Sequence, residues 1–184
     1  MPRILVRAVG NVETGILASV ETAIARAYSA GVDRLEPIAD PPGAFDPRRN
    51  QHSSVTVLKH LMASAPEGDS KVLGVTERDL FIPMLTFVFG QAQLDGRFAV
   101  VSLARLRQEF YGLPSNAAVL EQRAIKEASH ELGHTFGLAH CADSGCPMSL
   151  STSIRQVDAK SDLLCPECTA ALRSRGAALK EQSI

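Results

Sequence analysis

Long apolar runs are missing from this chain of 184 residues, and so is any marked charge imbalance. No stretch approaches the roughly 20 unbroken apolar residues that a membrane-spanning helix needs. A formal net charge of −1 removes the electrostatic case for nucleic acid or an anionic membrane, because those partners reward clustered Lys and Arg. The short basic pairs, Arg48 with Arg49 and Arg105 with Arg107, read as solvated surface. No internal repeat and no low-complexity tract is present. Cysteine is absent from the first 140 residues, and all four cysteines lie between Cys141 and Cys168. A disulfide framework usually ties distant parts of a secreted chain, so two short-spaced pairs favour a metal site instead. The N-terminal apolar run is broken by Arg3 and Arg7, which makes it a first strand rather than a secretory signal. No pro-segment is expected ahead of it, and the expected location is cytoplasmic.

What is present suits one globular domain with a substantial core, since 45% of the residues are hydrophobic. Arg3 to Val9 reads as a strand. Asn11 is placed to cap a following helix in which Ile16, Val20, Ala23, Ile24 and Ala27 recur at helical spacing. Val32 to Ile38 predicts a second strand, closed by Asp40-Pro41-Pro42-Gly43. A second helix is expected from Gln51 to Ala63, carrying His52 and His60 as surface histidines, and a third strand from Lys71 to Thr76. Leu85 to Leu94 and Arg97 to Leu103 form two β-rich runs joined by Asp95-Gly96, a dipeptide suited to a two-residue hairpin turn. A long helix is predicted to begin near Ser115 or Asn116 and to stop at Gly137, with a last short helix from Pro166 to Leu179. This alternation implies an α/β fold with a mixed, mostly parallel sheet. Residues 1–137 would form a sheet and helix subdomain, and residues 138–184 a small C-terminal one.

The chemistry concentrates at His130-Glu131-Leu132-Gly133-His134-Thr135-Phe136-Gly137-Leu138-Ala139-His140. Positions four apart lie on one face of a helix, so His130 and His134 can present their imidazoles to one ion. His140 is too far along to share that face unless the chain turns, and Gly137 takes the left-handed conformation that permits the turn. Three protein ligands leave a fourth tetrahedral position open, which a hydrolytic zinc site requires. Glu131, about 100° around the helix from His130, stands beside that position as a general base. Zinc lowers the pKa of bound water from about 15.7 toward 7, within reach of such a base.

Cys141 and Cys146, then Cys165 and Cys168, supply four thiolates in the pattern of a closed structural zinc site. Such a site would staple the segment that carries His140, in a lobe with little core of its own. A pair of disulfides is the rival reading, with three possible connectivities. A nucleic-acid knuckle is a third, weakened by the scarcity of positive charge and the absence of aromatics between Asp143 and Glu167.

The run H-E-x-x-H-x-x-G-x-x-H-C-x₄-C-x-M, followed by C-x-x-C, resembles the archaemetzincin family of metzincin peptidases. Thr86 to Ala92, Phe110-Tyr111-Gly112, Arg123 with Lys126 and Glu127, and Val157 to Lys160 also look like family sequence. The resemblance implies a five-stranded mixed sheet, an active-site helix and a small zinc-bound lobe, with Met148 as the apolar floor of a methionine turn. It also implies that an antiparallel edge strand, Phe87 to Ala92, pairs with an extended peptide, so that Phe89, Gly90, Gln91 and Ala92 contact substrate.

The expected protein is a zinc metallopeptidase holding two zinc ions and acting on peptides or proteins. The alternative is a catalytically silent two-zinc binding module, against which the intact Glu131 argues. With only Tyr28 and Tyr111 in the chain, no oxyanion-stabilising side chain is assigned. Subsite preference and the choice between aminopeptidase and endopeptidase stay open, as does oligomeric state, a monomer being favoured.

Overall fold

The structure is a computed structural model that describes residues 2–181, with side chains described through residue 175. Strand β1 (Arg3–Val9) lies inside a five-stranded sheet, flanked by β2 (Gly31–Ile38) and β5 (Lys71–Thr76) in parallel register. β8 (Phe98–Ser102) continues the parallel set beside β5, and β7 (Gly90–Ala92) closes the edge as the antiparallel member. The order is β2-β1-β5-β8-β7. The mixed, mostly parallel sheet with helices matches the fold class that the strand and helix alternation implies.

Period-two alternation sorts the strand side chains into two cores. Ile4, Val6, Leu73, Val75, Ala99 and Val101 point to the face covered by α1 (Thr14–Tyr28) and α3 (Ala117–Thr135). Leu5, Val9, Val72, Phe98 and Val100 point to the face covered by α2 (Ser54–Ser64), through Val57, Leu58 and Leu61. Parallel strands buried on both faces need near-continuous apolar runs, which β1, β5 and β8 have.

Several elements differ from expectation, each for a local reason. Asn11 does not cap α1; Val12 is buried, Glu13 is extended at the N-cap position without a side-chain cap, and the helix starts at Thr14. The segment expected to open a second helix at Gln51 is first a strand, β4 (Gln51–Ser53), which pairs with β3 (Phe45–Asp46) and β6 (Leu80–Phe81). α2 begins only after Ser53, whose hydroxyl accepts from Thr56 N–H at 3.3 Å. His52 consequently sits on a strand, not on a helix.

The long run Leu85 to Leu94 shortens to β7. Arg49 donates to Leu85 O at 3.0 Å and Gln51 donates to Thr86 O at 3.0 Å, which pins 82–87 as a rim loop. Val88 N–H then donates to Leu80 O at 2.9 Å. The hairpin turn is wider than two residues. Gln93 N–H donates to Phe98 O at 2.9 Å, and the Gln93 side chain accepts from the N–H groups of Arg97 and Phe98. Asp95, at φ 54°, turns its N–H away from the hairpin onto His134 O at 2.8 Å. Lys71 Nζ reinforces this junction, donating to Gly96 O at 2.7 Å and Thr135 O at 2.8 Å. The hairpin tip is thus tied to the end of α3.

After α3 the chain forms a small lobe with α4 (Ile154–Ala159) and α5 (Pro166–Glu181). Its own core is slight: Leu138, Cys146, Met148 and Cys168. The final residues of the expected C-terminal subdomain, 182–184, lie outside the described residues.

Candidate metal centre and cleft

Local sequence builds α3. Asn116 caps it through a side-chain oxygen that accepts from Val119 N–H at 3.1 Å, and Gly137, at φ 80°, ends it. Leu138 N–H then donates back to Gly133 O at 2.9 Å, so the chain reverses within a few residues and returns His140 toward the helix. The ligand atoms of His130, His134 and His140 all lie within 4.8 Å of one another. Nε2 of His130 and Nε2 of His134 are 3.1 Å apart.

Two carbonyls select the tautomers. His130 Nδ1–H donates to Pro147 O at 2.8 Å, and His134 Nδ1–H donates to Leu138 O at 2.8 Å. Each bond commits the Nδ1 proton and leaves the Nε2 lone pair free, the arrangement that orients ligating imidazoles. Burial pushes the pKa of His130 down to about 3, and it lowers that of His134 as well, so both rings are neutral and able to ligate. Three convergent imidazoles fit a divalent cation such as zinc.

Glu131 is buried at the same place, and burial, with the neighbouring Glu127 charge, raises its pKa well above the usual carboxylate range. Its side chain lies against β7: a Cβ added at Gly90 would come within 2.5 Å of Glu131 Cγ and 2.6 Å of Oε1. Met148 is fully buried, and its sulfur occupies the space that a side chain at Gly133, next to His134, would need. Tyr28 from α1 stacks on Phe136 and donates its hydroxyl to Ser129 O, bracing the same helix from behind.

A cleft of about 340 Å³ opens over the histidines, lined on one side by Leu85 to Ala92 and elsewhere by Leu150, Ser151 and Thr152. The ladder between β7 and β8 decides which edge groups face outward. Ser102 N–H donates to Phe89 O at 2.7 Å and Gln93 N–H donates to Phe98 O, bracketing the Gln91 and Val100 pair. By antiparallel alternation, the main chains of Phe89, Gln91 and Gln93 turn toward β8, while those of Gly90 and Ala92 turn away from it. Of the four residues expected to contact substrate, Gly90 and Ala92 therefore offer free backbone edges. Phe89 is buried in the core, and the Gln91 side chain accepts from Ser54 Oγ at 2.7 Å.

The second cluster comprises Cys141, Cys146, Cys165 and Cys168, whose sulfurs also lie within 4.8 Å of one another. All four are free thiols; the Sγ atoms of Cys141 and Cys165 are 3.8 Å apart, far beyond a disulfide bond. Cys168 N–H donates to Cys165 Sγ at 3.4 Å and, as the largest influence, lowers its pKa toward the thiolate form that binds metal. Four converging sulfurs fit a tetrahedral structural ion.

Sequence reasoning missed the cleft wall Leu150 to Thr152, and it missed a buried ion pair between Lys160 and Glu127, 3.1 Å apart, behind the centre. One signal was available: Glu127 and Arg123 continue the stripe of His134 and His130 upstream, and charges on a buried helix face require partners.

Residues 58–174 match peptidase family M54. Among curated relatives, the archaemetzincin of Methanocaldococcus jannaschii is 44% identical over 175 residues, spanning 95% of this chain and 94% of its own. The crystal structure of the archaemetzincin of Methanopyrus kandleri superposes with a TM-score of 0.84 at 37% identity, covering 95% of both chains. A zinc-dependent peptidase from Methanocorpusculum labreanum superposes with a TM-score of 0.83 at 32% identity, covering 92% of this chain and 99% of that one.

Proposed function

Because this chain belongs to peptidase family M54 and is a zinc metallopeptidase acting on peptides or proteins, we propose that His130, His134 and His140 hold its catalytic zinc and that Glu131 is its general base. The observation that carries this reading is the convergence of three imidazoles beside Glu131, with the Nδ1 protons of His130 and His134 committed to carbonyls.

Zinc, when bound, supplies a Lewis-acid charge that polarises a carbonyl, acidifies water and favours the ionised form of a neighbouring carboxyl. The chain supplies the rest. Gly90 and Ala92 bind an extended peptide by main-chain hydrogen bonds along the free edge of β7, as an added strand. The walls at Leu85 to Phe89 and Leu150 to Thr152 exclude water from the bond to be cleaved. Glu131 takes a proton from the attacking water at a carboxylate oxygen, then delivers it to the leaving amine. Met148, packed at Gly133 next to His134, serves as the apolar floor without ligating.

The four cysteines are proposed to hold a second, structural zinc that organises residues 138–181 as a small lobe distinct from the sheet subdomain. Thiols retained for metal suit a reducing compartment, which supports a cytoplasmic location.

The test is cleavage of a mixed peptide library by the zinc-loaded protein and by Glu131→Ala, with bound zinc quantified in both. Cleavage by the wild type alone, at equal zinc content, is expected. Equal turnover by both would remove Glu131 from the chemistry, and no turnover by either would favour a binding role.

A further inference from the structure

The stripe of α3 that carries His130 and His134 continues upstream through Glu127 and Arg123, at the three- and four-residue spacings that keep side chains on one face. Each member other than His134 holds the same stretch of the small lobe. Arg123 forks onto Asp158, with Nε at 2.6 Å and Nη2 at 2.8 Å from its two oxygens, while Nη1 donates to Leu106 O at 2.8 Å. Lys160 Nζ donates to Glu127 Oε1 at 3.1 Å; the lysine side chain is wholly out of solvent and the glutamate 3% exposed. Lys126, beside them, donates to Val157 O at 3.3 Å and Asp158 O at 3.0 Å at the end of α4. His130 holds Pro147 O. The stretch from Pro147 to Lys160 is therefore fastened to the active-site helix at both ends.

Between the fastenings lies the cleft wall, Leu150, Ser151 and Thr152. The wall itself is not built into a core; its apolar anchors lie on either side, Met148 before it and Ile154 and Val157 of α4 after it. Leu150 is 57% exposed, and Val157 is the one residue of α4 that is buried. Ser151 Oγ is buried without a hydrogen-bond partner. The wall is instead linked to α4 by Gln156 Oε1, which accepts from Thr152 N–H at 2.7 Å and from Thr152 Oγ1 at 3.1 Å. Any tilt of α4 on α3 is thus transmitted to the wall. A fork between guanidinium and carboxylate fixes both distance and angle, which an apolar contact of equal strength does not.

We propose that Arg123, Glu127, Asp158 and Lys160 are positioning residues that set the width of the cleft at Leu150 to Thr152, and so determine which substrate side chains it accepts. The inference rests on the peptidase reading above and deepens it. These four residues touch no substrate; the Glu127 and Lys160 charges also bear on Glu131, which affects all substrates alike, while their effect on selectivity acts through the wall.

Asp158→Ala alone would strand Arg123, whose side chain is 7% exposed, so the first variant is Arg123→Met with Asp158→Ala, which removes the fork together. A second variant, Glu127→Met with Lys160→Met, removes the buried pair together and keeps its volume. Both are compared with wild type as zinc-loaded full-length protein, in two measurements. The first is amide hydrogen exchange: residues 148–157 exchange faster in the variants while 117–135 and zinc content are unchanged. The second is a pair of peptides differing only in Leu or Gly at the flanking position where the wild type discriminates most. The Leu-to-Gly ratio of kcat/KM falls by about fivefold or more, chiefly through KM of the Leu peptide, within the range that pocket shape commands. A merely structural role would lower both peptides equally, and that result overturns the proposal. Unchanged exchange at 148–157 overturns it regardless of cleavage. A wild type that cleaves neither peptide defeats the peptidase reading instead, and exchange still decides the fastening.

Discussion

Replacing Gly90 with Ala tests how closely Glu131 is placed. The added Cβ would stand 2.5 Å from Glu131 Cγ, 2.6 Å from its Oε1 and 2.6 Å from Val100 O. Val100 O belongs to the backbone of β8, in the middle of the ladder, and cannot yield without breaking the pairing with Gln91. The contact with Val100 O is relieved only if Gly90 itself moves outward on the edge of β7, and the Glu131 side chain must withdraw as well. Reaching an ordinary contact of 3.4 Å requires a displacement of about 0.8 Å. A misplacement of about 1 Å at a reacting group costs on the order of 10²-fold in rate. Overpacking costs a further 1–3 kcal/mol or so of stability, which for a domain of this size lowers Tm by roughly 2–10 °C. The assay is steady-state hydrolysis of a peptide found with the library, alongside bound zinc and thermal unfolding. Gly90→Ala is expected to keep its zinc and lose about 10²-fold in kcat. A variant that stays within about threefold of wild-type kcat would refute the reasoning, because Glu131 would then tolerate the displacement that the geometry forces.

Two further outcomes follow from the same structure. Changing Cys165 to Ala leaves three sulfurs around the second centre and should lose one zinc per chain and lower Tm, since metal binding supplies folding energy that the slight core of the small lobe lacks; a variant with unchanged Tm and full zinc content would exclude the cysteine site. In the metal-free protein, Glu131 has a folded pKa raised above its unfolded value, so its contribution is fully present below about pH 4.5 and is lost as pH rises through the folded pKa. Glu131→Gln removes that penalty, and chemical denaturation of the two zinc-free proteins should show the variant gaining on wild type as pH rises from about 4.5, by at most about 1.4 kcal/mol per pH unit. Parallel stability curves would contradict the buried, protonated carboxyl.

The parts of this molecule that were legible in sequence are those fixed by neighbours in the chain. α3 is the clearest case: Asn116 caps it, Gly137 stops it, and His130 and His134 share a face because of helical pitch alone. Parallel β1, β5 and β8 declared themselves as apolar runs because both of their faces are buried. Strands of two or three residues did not, since β3, β4 and β6 exist through pairing with one another and carry no period of their own. The run from Leu85 read as a long strand because its composition is β-rich; Arg49 and Gln51, more than thirty residues upstream, make its first part a loop. Likewise, nothing near Arg123 announces that its carboxylate partner is 35 residues away at Asp158.

Turn tips between antiparallel strands are usually where a fold absorbs added or deleted residues with least harm. The tip after β7 has lost that freedom. Asp95 N–H and Lys71 Nζ hold the last carbonyls of α3 from it, at His134 and Thr135. One extra residue there would lift the end-post from the helix that carries two of the three histidines. Length variation in this fold should accordingly collect in other connections, leaving the turn at Asp95-Gly96 constant in length while the surface around it drifts.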